Sequence, residues 1–311
     1  MPTPNRALVL GCGAVAGAAW QIAMLNTLQQ QLGWDARNAS ILIGTSAGAV
    51  LATLLGAGVS VERMMASQRG DITDCQWNHD TGTGGALPPL PRPGISAVQL
   101  AWHGLRGRVS PLTAVTGLMP PGRTNMQPMM NLIDQVVPAG HWVQHPATWL
   151  MAVDAAIGQR VALGRDAIDI PANRAVCASY AVPGVCPPVH WQGSTYLDGG
   201  IASPASADFL LDTGVEEAIV LAPMASMQMD APRSPLAKVE RRVRRYMTRI
   251  VDREVAQLRA AGIRVIRIDP GPEDLRAFGF NMLDPARRVT VFETACKTAD
   301  QAVQDALRAA R

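Results

Sequence analysis

Five consecutive residues, Gly44-Thr45-Ser46-Ala47-Gly48, match G-x-S-x-G, the pattern of a nucleophile elbow. A serine hydroxyl is a weak nucleophile and attacks a carbonyl efficiently when an adjacent base takes its proton. A strand-to-helix turn that tight puts Ser46 in a sparsely populated backbone conformation, and bulk two positions either side would collide. Glycine at 44 and 48 removes that obstacle. The hydroxyl then stands at a helix N-terminus, where the dipole favours developing negative charge. The pattern is short, and a structural turn is the competing reading. Its context favours the elbow: the apolar run Ile41 to Ile43 precedes it and an Ala/Leu-rich stretch to about Leu55 follows.

A nucleophile of this kind needs backbone N–H donors aimed at the oxyanion. The stretch Gly11-Cys12-Gly13-Ala14-Val15-Ala16-Gly17 follows the apolar run Ala7 to Leu10 and can supply them. It also fits the dinucleotide fingerprint G-x-G-x-x-A. That reading wants an acidic residue ending the second strand. Asp35 lies at a suitable distance but precedes that strand, which ends in the serine elbow instead.

For the base, an α/β-hydrolase places an acid and then a histidine after the serine. The histidines are His79, His103, His141, His145 and His190, none in the last third of the chain. What does follow is Asp198-Gly199-Gly200. An aspartate before two glycines can sit in a tight turn with its carboxylate free to take the serine proton directly. An ordinary Asp-Gly turn is the alternative.

In this order, the Gly-rich loop, GTSAG, and DGG about 150 residues later resemble the patatin-like phospholipase family. The segments Ala178 to Val185 and Tyr196 to Phe209 are similar to those flanking the family's DGG; residues 72–140 are least similar. The resemblance implies a three-layer α/β/α sandwich with a mostly parallel central sheet. It also implies hydrolysis of fatty-acyl esters, from phospholipids, lysophospholipids or simpler lipids, through an acyl-enzyme, with no metal or organic cofactor. Carried over, Ser46 is the nucleophile and Asp198 the base. Cys12, Gly13 and Ala14 form the oxyanion loop, Gly17 closes its turn, and Gly44, Gly48, Gly199 and Gly200 are motif glycines. The chain departs from the family's G-G-G-x-[KR]-G at Cys12, Ala14 and Ala16. If position 14 needs a positive φ, alanine there costs about 1 kcal/mol or more. Missing the basic residue, the loop attracts phosphate less. An acyltransferase or thioesterase using the same serine, and a non-catalytic lipid-binding regulator, remain the alternatives.

These residues are far apart in sequence, so one domain must gather them. The 311 residues, 48% apolar and 17% charged, describe a globular chain with material for a large core. Strand, turn and helix repeat through the N-terminal part, which implies βαβ units. Further strands read at Trp149 to Val153, Glu217 to Ala222 and Val265 to Ile268, with helices from Ala18 to Leu32, Lys238 to Ala261 and Arg287 onward. Residues 82–125, rich in Gly and Pro, read as an irregular lid-like insertion, or equally a flexible surface insertion, carrying one helix near Ala97 to Leu105. A net charge of +3 without aromatic-interleaved basic runs argues against nucleic acid. Five cysteines, in no metal or redox spacing, suit a reducing compartment. With no signal-like or spanning stretch, the expectation is a cytoplasmic protein that touches membranes at most peripherally. The arginine-rich helix from Lys238 could dock on anionic lipid, but its mixed charges read better as a solvated face. Met119, Met126, Met129 and Met130 could line an acyl channel or fill the core. His190 reads as a surface histidine, Asp154 as a turn cap and Cys12 as a packed small residue.

Overall fold

A computed structural model describes residues 4–73 and 89–310. Cys75, His79 and the start of the insertion, with Gly84, Gly85 and Pro88, lie outside them. In chain order the elements are β1 (Arg6–Leu10), α1 (Ala14–Leu32), β2 (Ile41–Thr45), α2 (Ala47–Gly56), α3 (Val61–Arg69), α4 (Val98–Leu105), α5 (Pro111–Leu118) and α6 (Gln127–Asp134). Then come β3 (Thr148–Asp154), β4 (Gln159–Leu163), α7 (Ala172–Ser179), β5 (Val189–Trp191), β6 (Ser194–Asp198), β7 (Glu217–Leu221), α8 (Pro235–Ala260), β8 (Arg264–Ile268), α9 (Pro272–Phe278) and α10 (Arg288–Ala309).

Among the described residues the sheet has eight strands in the order β5-β6-β3-β2-β1-β7-β8, with β4 paired to β3. From β3 to β8 the neighbours are parallel; β4, β5 and β6 pair antiparallel. Strands β1, β2 and β7 are near-continuous apolar runs because both their faces are covered. Leu8, Leu10, Leu42 and Leu221 point into one core with α1, α2 and α10. Ala7, Val9, Ile43 and Val220 point into the other, against α8. Helices on both faces of a mostly parallel sheet make this a three-layer α/β/α fold.

Two consequences fix the site. First, β1 has β2 on one side and β7 on the other, so the winding reverses there. In such sheets the crevice outside the carboxyl ends at the reversal is where ligands bind. Second, β4 occupies one edge of β3 from Leu150 to Asp154, so β2 and β6 must share the other. Thr45 of β2 pairs with Met151, and Asp198 of β6 pairs with Ala152. The two strands therefore run toward each other along one edge and meet end to end, with Ser46 and Asp198 at the junction.

Some element readings need correction. Helix α1 begins at Ala14 rather than Ala18, so the Gly-rich turn is only Gly11 to Gly13. The insertion carries a second helix, α5, signalled by Ser110 capping Thr113 N–H and by Pro111 at the first turn, where proline fits without loss.

Candidate active site

Ser46 is the N-cap of α2, with φ 56° and ψ −118°. A side-chain-bearing residue is held there only when its surroundings over-determine it. Here they do. Its N–H donates to Ser179 Oγ at 2.9 Å, and Ser179 Oγ donates to the Met151 carbonyl at 2.6 Å. The flanking glycines answer to space. A Cβ on Gly48 would lie 1.9 Å from the Leu10 carbonyl oxygen, and one on Gly44 would lie 2.5 Å from Ala49 Cα. The elbow is thus wedged against the end of β1.

Asp198 is 4% exposed. Its Oδ1 accepts the Gly200 N–H at 2.7 Å, its own N–H donates to the Ala181 carbonyl, and Ser46 lies beside its carboxylate in the same cavity. Burial pushes its pKa up to about 7; the Ser46 and Gly200 hydrogen bonds oppose this and only partly succeed. Gly199 and Gly200 are required by crowding: side chains would meet the Met151 carbonyl, or Asp198 and the Cys12 sulfur.

The loop after β1 supplies donors, with one correction. The Cys12 N–H is engaged by the Pro204 carbonyl at 2.8 Å and is not free for an oxyanion. Among the described residues, the N–H groups of Gly13 and Ala14 have no such partner. Ala14 has φ +49°, so the strained alanine anticipated at this position is present. Gly13 is extended, and its lack of a side chain matters for space: a Cβ would lie 2.7 Å from the Pro223 ring. Gly17 does not close a turn. It lies inside α1, donating to the Gly13 carbonyl, and packs against Pro223. Ala47, the first residue of α2, offers a further N–H with no helical partner. It was legible in the elbow pattern but had no assigned role.

Other supports could not be read from sequence. Arg244, fully buried, donates to the carbonyls of Pro223 and Ala225 and pairs with Glu240, fixing the proline that packs on the Gly loop. Buried Glu254 accepts from Ser203 Oγ and the Ala207 N–H, holding the loop whose Pro204 carbonyl anchors Cys12. Burial, and after it the nearby Asp208, raises the Glu254 pKa. These residues sit among many similar arginines and glutamates, and only the packing distinguishes them.

Cys12, Gly13, Ala14, Ser46, Asp198 and Gly200 line one cavity of about 400 Å³. Its remaining wall is mostly apolar: Leu112 of α5, Val182, Ile201, Met224, Val243 and Met247 of α8, Phe280, Met282 and Leu283, with Thr116, Glu240 and Asn281. Met119, Met126, Met129 and Met130 are not in it. Met129 is buried in the main core with Met126 and Met130 beside it, so the cavity uses other methionines. His190 is exposed and bonded to Thr195, and no described histidine lines the cavity. Asp154 caps a turn through the Ala156 N–H. The Cys12 thiol is pushed well above its ordinary range by burial and then by Asp198. Asp35 pairs with Arg37 ahead of β2, at the end of the sheet away from the Gly loop. Among the described residues no group of His, Cys, Asp and Glu is placed to hold a metal ion, and no helix is long and apolar enough to cross a membrane.

No family model matches the chain, and no curated protein sequence matches it. Among solved structures, VipD from Legionella pneumophila is similar at 15% identity and a TM-score of 0.46, covering 97% of this chain and 67% of that one. The type III effector protein ExoU is similar at 15% identity and a TM-score of 0.38, covering 98% of this chain. This chain spans about half the length of the ExoU chain, 54%.

Proposed function

We propose that the protein is a serine hydrolase of fatty-acyl esters, with Ser46 as nucleophile and Asp198 as general base. The observation that carries this is the pairing of a strained serine with a buried aspartate whose pKa lies near 7, at the floor of an apolar cavity. A general base works best with a pKa near the operating pH. In the first step Ser46 Oγ bonds the acyl carbon as its proton passes to Asp198. The N–H groups of Gly13 and Ala14 receive the negative charge on the carbonyl oxygen. Collapse expels the alcohol, which takes the proton from Asp198, and leaves the acyl group on Ser46. A water, deprotonated by Asp198, attacks that ester and releases the fatty acid with Ser46 restored. The cavity's size falls within the range of small-molecule sites, and its apolar wall suits an acyl chain. The similarity to the patatin-like motifs supports the same reading.

The test is labelling with a fluorophosphonate probe, comparing wild type with Ser46→Ala and Asp198→Asn, alongside hydrolysis of p-nitrophenyl esters of graded chain length. Labelling confined to Ser46, with hydrolysis lost in both variants, is the expected result. A wild-type protein that neither labels nor cleaves any ester would sink the proposal.

A further inference from the structure

The rim of the cavity is a surface of unusual composition. Leu112 and Val243 line the cavity and are also exposed, as is Phe280. From Val243 the same stripe of α8 continues back through Val239 to Leu236, both more than half exposed. From Leu112 the outer face of α5 continues through Val115 to Leu118, also exposed. The paired helix α4 adds Val98, Trp102 and Leu105 on its solvent side. An exposed apolar collar of this extent marks something that covers it.

The charges of the α4–α5 segment have one sign. Residues 89–133 hold Arg92, Arg106, Arg108 and Arg123 and no Asp or Glu. All four arginines are exposed, with the Arg106 guanidinium 4.5 Å above the Trp102 ring. On α8 the mixed signs read from the sequence separate in three dimensions. Glu240 turns inward to Arg241 and Arg244, which are themselves buried. Lys238, Arg242 and Arg245 remain outside, and among the described residues no carboxylate pairs with them. The N-terminal half of this helix is therefore basic beside an apolar stripe, while Asp252 farther along is also exposed and pairs with Arg267.

We infer that α5 and the N-terminal half of α8 dock the cavity mouth onto an anionic lipid bilayer. The apolar stripe enters the headgroup–acyl boundary while the flanking arginines meet lipid phosphates. A protein partner would need acidic complementarity to the same cations; a bilayer supplies both the charge and the apolar layer over the whole rim. The docking brings lipid to the cavity but does not depend on the hydrolase proposal, because it concerns the surface and not the dyad.

The test uses the full chain carrying Ser46→Ala, so that no catalysis enters the readout, in cosedimentation with phosphatidylcholine vesicles with and without phosphatidylglycerol. Partitioning is expected to be about tenfold or more stronger with phosphatidylglycerol and to weaken with salt. Val115→Asp, Leu236→Asp and Val239→Asp combined should lose at least about tenfold, with unchanged circular dichroism. Arg242→Gln with Arg245→Gln, exposed and safe for folding, should lose the preference for anionic lipid. Absence of binding to anionic vesicles, or binding untouched by either variant set, overturns the inference. So does a wild-type dimer that Val239→Asp dissociates, since a second copy would then cover the face.

Discussion

Replacing Asp198 by asparagine should abolish hydrolysis and at the same time make the protein more stable at alkaline pH. Burial raises this carboxyl from about 3.8 to about 7. Between those values the native state keeps a proton that the unfolded chain has released. Its contribution to stability is therefore full at about pH 4 and is lost as pH rises through 7. At ~1.4 kcal/mol per tenfold change, the charged form costs the native state about 4 kcal/mol at pH 8 as a ceiling. Asparagine has nearly the same shape, can accept the Gly200 N–H and never ionises. The variant should exceed wild type by several kcal/mol at pH 8, with the gap closing toward pH 4. Glu254, raised likewise, is common to both proteins and cancels in the difference. Urea unfolding of both at pH 4.5, 6 and 8 reads the gap directly. In wild type the same pKa sets the activity profile: about 1% of the base form at pH 5 and about 90% at pH 8. A variant no more stable at pH 8, a gap independent of pH, or an activity inflection below pH 5 would refute the reasoning.

Three further outcomes follow from the geometry. Ser46→Gly should be about 0.5–1 kcal/mol more stable than Ser46→Ala, both inactive, because only glycine relieves the positive φ; equal denaturation midpoints would mean the elbow is unstrained. Gly48→Ala should lose about 2 kcal/mol or more, since its methyl group meets the Leu10 carbonyl backbone rather than a movable side chain; thermal unfolding measures it. In native protein at pH 8, iodoacetamide should modify exposed Cys296 and leave buried Cys12, Cys177 and Cys186 intact, as peptide mass spectrometry would show; alkylation at Cys12 would contradict its raised pKa and burial.

The sequence alone carried the parts of this protein whose chemistry is local. Apolar runs next to turn residues predict β1, β2 and β7, because strands buried on both faces have no polar side to disguise them. The elbow could be read because a turn that presses on the end of β1 admits only glycine at 48. The aspartate could be read because two glycines after it leave no room for anything else. What the sequence could not supply was the meeting of these pieces. Ser46 and Asp198 come together because β4 occupies one edge of β3 and leaves β2 and β6 to share the other, a register set by pairing over more than a hundred residues. The same limit hid the engagement of Cys12 by Pro204, since a free N–H and a bonded one are identical in sequence. It also hid the wall of the cavity, which comes from α5, α8 and the segment around Phe280. On α8 the order of charges suggested a mixed face; only packing, which draws Glu240 and two arginines inward, decides that the exposed face of its N-terminal half is basic. Residue types set which chemistry is possible, while long-range pairing and burial set which groups meet and how strongly each holds its proton.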